Sequence, residues 1–432
     1  MLYWAQTNRR VGFNHALAHA VELANDAGLP VLFYEGLTFD YPYASDRLST
    51  FVVQGVPDTE SQLHKLGMGY VFYLRRTRDD PNDTLYRLAK DAAAVVTDDY
   101  PVFLAPGYNA IVPPKLGVPY YAVDSSCIVP MACFEKREYA AYTIRPKIRK
   151  LLPEYLKPLA PLRVKRKFQQ TLPRFNHQGF SVDATVPPSP FFHGGSVAAH
   201  KRLRSFLKHS LHRYANSSNQ PSENATSGLS PYLHFGHISS LEVALAAKEY
   251  AHEHKLLPDK FLEELIVRRE LAFNFARFTT NPQSLQALPD WAQKTLQKHA
   301  RDKRDPIYSR DQFERAQTHD VLWNAAQKEL LLTGKIHGYY RMYWGKKIIE
   351  WSATPEEALA TTIYLNDRYA LDGRDPNSYT NILWCFGLHD RPWVERPIFG
   401  QVRYMSFDGM RRKTDVDAYI QAILAATRDS RT

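Results

Sequence analysis

Residues 335–351, with the sequence KIHGYYRMYWGKKIIEW, decide how the C-terminal half of this chain folds. Trp344 and Trp351 lie seven positions apart, a spacing that places both indoles on one face of an α-helix, roughly 10 Å apart along its axis. Residues 321–393 hold five of the seven tryptophans of the chain. Rings at this distance suit electron hopping, but ordinary core packing uses aromatic residues at the same spacing. The pattern therefore predicts a helix and leaves both interpretations of its tryptophans open.

The segment that follows carries the signals of a second helix and then of a polar loop. Thr354 and Glu357 flank Pro355 in the arrangement of a capping box, which predicts a new helix start. The polar residues 371–377, LDGRDPN, then interrupt the helical pattern. A loop of this composition is usually a connection rich in hydrogen bonds, and it can also form the wall of a polar pocket.

Two earlier motifs combine polar groups with helix signals. In residues 226–239, TSGLSPYLHFGHIS, Ser230 is predicted as an N-cap and Pro231 as the first helical residue. The free backbone N–H groups of such a helix start form a natural anion site, although many helices begin this way without binding a ligand. Residues 263–270, EELIVRRE, predict an amphipathic helix whose charges would ordinarily pair on its wet face.

Size and composition narrow the class of protein. A chain of 432 residues is long enough for two hydrophobic cores. Its 55 basic and 45 acidic residues give a net charge of +10, which weakly supports a polyanionic partner. Three scattered cysteines exclude a disulfide framework and cannot supply the four ligands of an iron–sulfur cluster. Without a signal peptide or a long apolar run, the protein is expected to be cytoplasmic, with no membrane partner and no metal.

The N-terminal part alternates short apolar runs with amphipathic stretches, which predicts a parallel sheet covered by helices. No GxGxxG motif follows the first run, so a dinucleotide held by that fingerprint is not expected there. The proline-rich segment after it, with the basic clusters RPKIRK and RVKRK, is interpreted as a solvated linker, with DNA contact as the less favoured alternative. The remainder shows only helical patterns. We expect an α/β domain with a Rossmann-like sheet at 1–139, a connector at 140–193 and an all-α domain at 194–432.

The order and spacing of these motifs, together with KTDVDAYI at 413–420, resemble the class II cyclobutane pyrimidine dimer photolyases. The resemblance covers most of the chain and is strongest from about Tyr214 to Tyr419. In this family the N-terminal domain commonly carries a light-harvesting antenna pigment, an 8-hydroxy-deazaflavin or a folate. The helical domain binds FAD and DNA.

The resemblance implies roles for particular residues of the helical domain. It assigns Glu264 to the carboxyl group that stabilises the pyrimidine radical anion, a role that would require a partly desolvated site with a raised pKa. Asn366 corresponds to the asparagine that faces flavin N5, with Asn377 as the second choice. Trp384 and Met342 correspond to neighbours of the lesion, and Trp344, Trp323 and Trp351, in this order outward, to a photoreduction chain. The residues matched to cofactor binding are Tyr214, Thr226, Ser227, Gly228, Leu229, Ser230, Arg341, Asp372, Gly373 and Asp375.

DNA contacts are expected from basic residues of the same domain. Arg268 stands where some relatives carry an aromatic that stacks on the lesion, and an arginine plane can stack on a base or meet a phosphate. Arg269 is grouped with it. Residues 402–415, VRYMSFDGMRRKTD, are interpreted as a hairpin or loop that contacts phosphates through Arg403, Arg411 and Arg412, although a solvated surface would look the same.

The function implied by the resemblance is the light-driven repair of UV-damaged DNA. A flipped-out pyrimidine dimer would receive an electron from excited reduced FAD, which makes the protein a deoxyribodipyrimidine photo-lyase that acts as a monomer. One alternative is a cryptochrome-like flavin photoreceptor that uses the same tryptophans for signalling. A flavoprotein with an altered substrate is a third possibility, suggested only by Arg268.

Overall fold

The computed structural model describes residues 1–172, 175 and 180–429. Its N-terminal part is built on a five-stranded parallel sheet with the strand order β3-β2-β1-β4-β5. The central strand β1 pairs through Leu2 with Leu32 on one side and with Val95 on the other. All four residues of β1 are buried, because helices cover both faces of the sheet. The strands are β1 (Leu2–Ala5), β2 (Leu32–Thr38), β3 (Gly69–Arg75), β4 (Val95–Asp98) and β5 (Tyr120–Val123).

Five helices connect or flank these strands in the doubly wound arrangement. They are α1 (His15–Asp26), α2 (Asp46–Val53), α3 (Val56–Leu66), α4 (Thr84–Lys90) and α5 (Ala105–Ile111). The strand order reverses between β1 and β4, and in sheets of this type ligands bind in the crevice at that point, beyond the carboxyl ends of the strands.

The rest of the chain is helical, which confirms the predicted combination of an α/β part and an all-α part. Within the described residues no helix is both long and apolar enough to cross a lipid bilayer. The helices are α6 (Ala141–Tyr155), α7 (Ser196–His209), α8 (Tyr214–Ser217), α9 (Ser230–His234), α10 (Ser240–Glu253), α11 (Asp259–Leu262), α12 (Arg269–Arg277), α13 (Asp290–Lys298), α14 (Arg310–Glu314), α15 (Val321–Thr333), α16 (Gly338–Trp351), α17 (Pro355–Tyr369), α18 (Pro376–Cys385), α19 (Phe407–Arg411) and α20 (Val416–Asp429).

The segment predicted as a solvated connector contains a packed helix. Ala141, Ile144 and Ile148 of α6 recur at helical spacing and are buried in the same core as the sheet. Proline richness suggested a linker, but the apolar stripe of α6 outweighs the two prolines inside it. Residues 173–174 and 176–179 of the predicted connector, like residues 430–432 at the end of the predicted helical domain, lie outside the described residues.

The α/β part and the helical part share their cores. Phe51 of α2 packs against Tyr232 and Phe235, with ring centroids 5.4 and 5.1 Å apart. Arg47, also on α2, is buried and donates hydrogen bonds to the carbonyl oxygens of Leu330, Leu331 and Tyr369. These carbonyls lie at the C-terminal ends of α15 and α17, where a cation is most favourable. The predicted boundary at 139 therefore does not divide two separately packed units.

Several local predictions differ from the structure in detail. Residues Glu263–Arg268 form a π-helical segment between α11 and α12 rather than one regular helix. Helix α9 begins at Ser230 with Leu229 in the N-cap position, so Pro231 is the second helical residue. The predicted hairpin at 402–415 contains the short helix α19. Thr354 does cap α17, accepting a hydrogen bond from the backbone N–H of Glu357.

Candidate functional site

The helical part encloses a cavity of about 420 Å³ between α8, α9, the π-helical segment, α16, α17 and α18. Most of the residues predicted to bind a cofactor or a lesion line it, although they come from six separate parts of the sequence. Those in the lining are Tyr214, Thr226, Ser227, Gly228, Leu229, Ser230, Glu264, Arg341, Met342, Trp344, Asn366, Asp372, Asp375 and Asn377.

Asp372 is the centre of a charged cluster in the cavity wall. Its carboxylate lies 2.9 Å from Arg341 Nη2 and 3.4 Å from Lys335 Nζ, and it accepts a hydrogen bond of 2.6 Å from Ser230 Oγ. Burial alone would raise the pKa of Asp372, but the two cations lower it well below its usual range. Arg341 and Asp372, both matched to cofactor binding, thus form an ionised pair, and Lys335 adds a second cation that the sequence did not indicate.

The same wall presents donors that have no partner among the described residues. His337 Nδ1 accepts a hydrogen bond from the backbone N–H of Tyr339, which places the proton on Nε2. Burial, followed by the charge of Lys335, lowers the pKa of His337 to about 4, so its ring is neutral at pH 7. The buried atoms His337 Nε2 and Arg341 Nε both lack an acceptor among these residues. Such free donors can bind the carbonyl or phosphate oxygens of a ligand.

Asn366 has a fixed orientation in the cavity wall. Its Nδ2 donates to Asp367 Oδ1 at 3.0 Å and to Ser378 Oγ at 2.6 Å, which uses both amide protons. The side-chain carbonyl oxygen is therefore the group of Asn366 that remains for a ligand. Asn377 also lines the cavity, but its amide donates to Asp375 Oδ1 at 3.0 Å, next to the start of α18.

Glu264 lines the cavity next to Tyr214. Its carboxylate is exposed to the cavity and accepts a hydrogen bond of 2.5 Å from the hydroxyl of Tyr214. Burial and the charge of Glu264 raise the pKa of Tyr214, which keeps this hydroxyl a donor. The described protein residues alone therefore do not desolvate the carboxylate of Glu264, and Tyr214 contacts it directly. The resemblance had related Tyr214 only to the cofactor.

The three tryptophans of the predicted chain are neighbours in the predicted order. Trp344 lines the cavity, and its ring is parallel to that of Trp323 with 6.2 Å between centroids. Trp323 and Trp351 follow at 6.3 Å with a steep angle between the rings. The two inner indoles are held by hydrogen bonds, from Trp344 Nε1 to Gln327 and from Trp323 Nε1 to the carbonyl oxygen of Trp344. The rings also form part of the core, so the packing interpretation and the electron-transfer interpretation are compatible.

The lesion-side residues are only partly assembled. Met342 lines the cavity, whereas Trp384 is half-buried outside the lining but next to the lining residue Cys385, a position that we call the rim. The guanidinium of Arg268 lies 5.5 Å from the Trp384 ring and covers that face. Arg269 was also predicted to bind DNA, and the structure places it in the wall of the first cavity. Its guanidinium is buried, donates to the carbonyl oxygen of Ser126 at 2.6 Å and therefore joins the helical part to the sheet.

The remaining predicted residues lie away from the lining. Gly373 packs closely behind the wall, where a side-chain carbon would meet the carbonyl oxygen of Asn366 at 2.9 Å. Arg411 pairs with Asp417 at 3.3 Å, and neither it nor the exposed Arg412 bonds to a cavity residue within the part of the chain that is described. Arg403 instead lies 5.2 Å from the ring of Trp393.

The surface around Trp393 was not predicted. Trp393 keeps 40% of its area exposed although it is a large aromatic residue, and Arg391 lies 5.4 Å from its ring in addition to Arg403. The loop that carries it begins next to His389, whose ring contacts Trp384 at 6.5 Å. Tryptophan flanked by arginines is typical of nucleic-acid contacts. The signal in the sequence is RPWVER at 391–396, in which a tryptophan lies between two arginines.

A second cavity, of about 440 Å³, opens beyond the carboxyl ends of the strands, beside the point where the strand order reverses. Trp4, Arg9, Tyr34 and Tyr108 contribute to its wall from the α/β part. His234 lines both cavities. The two cavities are therefore separated by a wall about one residue thick.

A hydrogen-bond network stabilises this wall. Asp375 faces the first cavity, and it accepts hydrogen bonds from Tyr100, which faces the second, at 2.7 Å and from His234 at 3.2 Å. Burial lowers the pKa of His234, so its imidazole is neutral. Burial alone would raise the pKa of Asp375, but the hydrogen bonds and positive charges around this carboxyl group lower it. We therefore assign a neutral imidazole that donates to a carboxylate. His234 and Tyr100 were not predicted as site residues, because no local pattern marks them.

Comparison with solved structures supports the fold. The cryptochrome of Synechocystis sp. PCC6803 superposes with a TM-score of 0.77 over 98% of this chain and 87% of that chain, at 17% sequence identity. This likeness establishes the fold, a doubly wound sheet joined to a helical domain.

Sequence relatives then establish the family. Residues 1–165 match the family model described as DNA photolyase. A protein of Methanothermobacter thermautotrophicus named deoxyribodipyrimidine photo-lyase is 42% identical over 431 residues, which cover 98% of this chain and 94% of that protein. A protein of the same name from Oryza sativa is 39% identical over 98% of this chain and 87% of that protein. The chain belongs to the DNA photolyase family, a family of FAD-binding lyases that repair DNA, which confirms the predicted enzyme class.

Proposed function

We propose that this protein is a class II photolyase that repairs cyclobutane pyrimidine dimers with light. The observation that carries the proposal is the row of Trp344, Trp323 and Trp351, which leads outward from the wall of a cavity rich in polar groups. Structural packing alone requires neither a row that begins at the cavity surface nor donors left free beside it. The class II assignment rests on the motifs at 226–239 and 263–270 and on the order of these three tryptophans.

The first cavity is the proposed FAD site, and the donor set fits that cofactor. The backbone N–H groups of Ser227 and Gly228 donate to no residue that the structure describes, so they can bind phosphate oxygens. Gly228 has a positive φ of 63°, a conformation that suits glycine. Arg341 Nε and His337 Nε2 would donate to polar edges of the ring system, and the carbonyl oxygen of Asn366 would accept a hydrogen bond. When bound, FAD would supply the electron after absorbing light.

The lesion would enter at the side of Glu264 and Met342. In the proposal Tyr214 holds Glu264 by its hydrogen bond, and the carboxyl group becomes desolvated only when cofactor and lesion fill the space around it. Trp384 would stack on the dimer, which requires Arg268 to leave the ring face that it now covers. Arg268 would then be free to contact a phosphate, so a single movement supplies both contacts.

We further propose that the second cavity binds an antenna pigment, a deazaflavin or a folate. Aromatic side chains on its wall, including Trp4, Tyr34 and Tyr108, suit a flat conjugated ring. A pigment there would be separated from FAD only by the wall around His234. In this proposal residues 1–139 serve as the antenna domain, 140–193 as the connector and 194–432 as the catalytic domain of a monomer that acts on UV-damaged DNA.

The test is repair of an oligonucleotide that carries one thymine dimer. Protein reconstituted with FAD and reduced chemically should split the dimer into two thymines under blue light and leave it intact in the dark. Light without protein and protein without FAD are the controls. Uptake of FAD with photoreduction but without repair would contradict the proposal and favour a cryptochrome-like photoreceptor. Failure to bind FAD would remove its basis.

A further inference from the structure

The connector carries an exposed aromatic and basic surface that neither the proposed FAD site nor the lesion pocket uses. We call Tyr139, Tyr142, Arg149 and Lys150 the connector surface. Tyr139 and Tyr142 expose 47% and 63% of their area, and their rings lie 6.3 Å apart. Two adjacent exposed tyrosines are unusual on a surface that has no partner, because burying aromatic area is favourable.

The connector surface is fixed to the rim of the first cavity at its N-terminal end. His389 Nδ1 donates a hydrogen bond of 2.5 Å to the carbonyl oxygen of Tyr139. The ring of His389 contacts Trp384, the proposed stacking residue, at 6.5 Å and nearly at right angles. Only one side chain therefore separates Tyr139 from the entrance for the lesion.

A second attachment follows one helical turn beyond Tyr142. Arg145 binds Glu263 through both Nε and Nη2, with distances of 3.1 and 2.7 Å to Oε1. Glu263 precedes Glu264 in the π-helical segment, so helix α6 is anchored to the backbone that carries the proposed lesion contact. Because Tyr142 lies between these two attachments, it too is at the rim.

The outer face of α6 extends the surface away from the rim. Ala141, Ile144 and Ile148 turn into the core, which leaves Arg149 and Lys150 exposed. Neither of these two forms an ion pair or a side-chain hydrogen bond with a residue that the structure describes, whereas the neighbouring Lys147 pairs with Glu138. Tyr142 and Arg149 are separated by roughly 10 Å along the helix, about three base pairs of B-DNA.

We infer that the connector surface binds the phosphates of the DNA duplex that flanks the flipped-out dimer. The tyrosine hydroxyls donate to phosphate oxygens, and Arg149 and Lys150 neutralise further phosphates along the same strand. The inference rests on the proposed repair function, since the rim is a DNA entrance only in that case. Continuity with the rim and the unpaired positive charge favour duplex DNA over an acidic protein. The contacts carry no sequence information and serve to position the duplex.

The salt dependence of DNA binding tests the two cations. For a dimer-bearing duplex, log K of DNA binding should fall less steeply with log salt concentration in the double variant Arg149→Gln/Lys150→Gln than in the wild type. The slope should be smaller in magnitude by about 1.8, since each phosphate contact contributes about 0.9. The control variant Lys65→Gln/Lys90→Gln makes the same change in net charge on α3 and α4 of the α/β part and should keep the wild-type slope. Equal slopes for the wild type and the first variant, or equal flattening in both variants, would refute the inference.

The tyrosine contact is tested separately on the same duplex. Tyr142→Phe keeps the ring and removes the hydroxyl, and it should weaken binding about tenfold, the lower end for a hydrogen bond to a charged group. Damaged and undamaged duplexes should be weakened by the same factor, because a phosphate contact does not read the lesion. Unchanged affinity of Tyr142→Phe contradicts the hydroxyl contact. If wild-type protein shows no preference for dimer-bearing DNA, the proposed function itself fails, and the two failures are thus distinguishable.

Discussion

Replacement of Trp344 by phenylalanine tests whether the row of tryptophans conducts electrons or only fills the core. Trp344 lies between the cavity and Trp323, and the two rings are parallel at 6.2 Å. Phenylalanine keeps an aromatic ring in the same place but is much harder to oxidise. We therefore expect Trp344→Phe to bind FAD and to lose its reduction by light. Repair by protein that has been reduced chemically should survive, because the repair electron does not cross the row.

The cost to folding can be worked out from the contacts of this residue. The substitution removes about 40 Å² of buried apolar area, worth about 1 kcal/mol. It also removes the indole N–H that Gln327 accepts, which leaves a buried acceptor unpaired at a cost of about 1–3 kcal/mol. A loss of about 2–4 kcal/mol should leave the protein folded at low temperature, so a loss of photoreduction would not reflect unfolding.

The assay follows flavin absorbance under blue light with an external reductant, after the FAD content of each variant has been measured. Trp291→Phe is the matched control, since it is the same substitution at a partly buried tryptophan that lies outside the row. It should photoreduce like the wild type. Normal photoreduction by Trp344→Phe would refute the electron-transfer role and leave packing as the only function of this ring.

Three further predictions follow from particular contacts. Glu264→Ala should lower the number of dimers split per absorbed photon several-fold without lowering FAD content, because the carboxyl group stabilises a state reached only after light absorption; an unchanged yield would contradict its role. Arg47→Met should lower the free energy of unfolding in urea by about 3–5 kcal/mol, because three helix-end carbonyl oxygens lose a buried charged donor, while the exposed Arg87→Met should change it by less than about 1 kcal/mol. Burial lowers the pKa of His237 to about 3, so its contribution to the free energy of unfolding is complete above pH 6.5 and is lost as the pH falls below that value. Between pH 6 and 4 the free energy of unfolding of His237→Asn should therefore depend on pH less steeply than that of the wild type, by about 1.4 kcal/mol per pH unit. Identical slopes for the two proteins would contradict a buried, neutral His237.

Local patterns were sufficient for the elements and for part of the site. The buried strands β1 and β4 could be recognised as short apolar runs, since both faces of a central parallel strand meet helices. The seven-residue spacing of Trp344 and Trp351 predicted their common helix, because seven residues make about two helical turns. Both predictions use a pattern contained within one element, which sequence alone displays.

Contacts between distant segments could not be predicted in this way. Arg269 follows Arg268 in the predicted helix, and both side chains were expected on its exposed face. Arg269 is nevertheless buried, because Ser126 of the α/β part offers a carbonyl oxygen at 2.6 Å. The π-helical segment rotates the register within this stretch, and no residue type marks such a change. Lys335 joined the Asp372 cluster for a similar reason, since its partner lies 37 positions further along the chain.

The arrangement of the first cavity gives each proposed process its own side. The tryptophan row begins at Trp344 on α16, and the lesion would enter past Glu264 on the π-helical segment. The second cavity borders the first at His234 on α9. Each process thus depends on a different element of the cavity wall, so a substitution on one side need not disturb the contacts on another. If the proposed roles are right, photoreduction, repair and energy transfer from an antenna should be separable by single substitutions. A packing role shared by all these residues would instead make every such substitution weaken all three processes together through loss of stability.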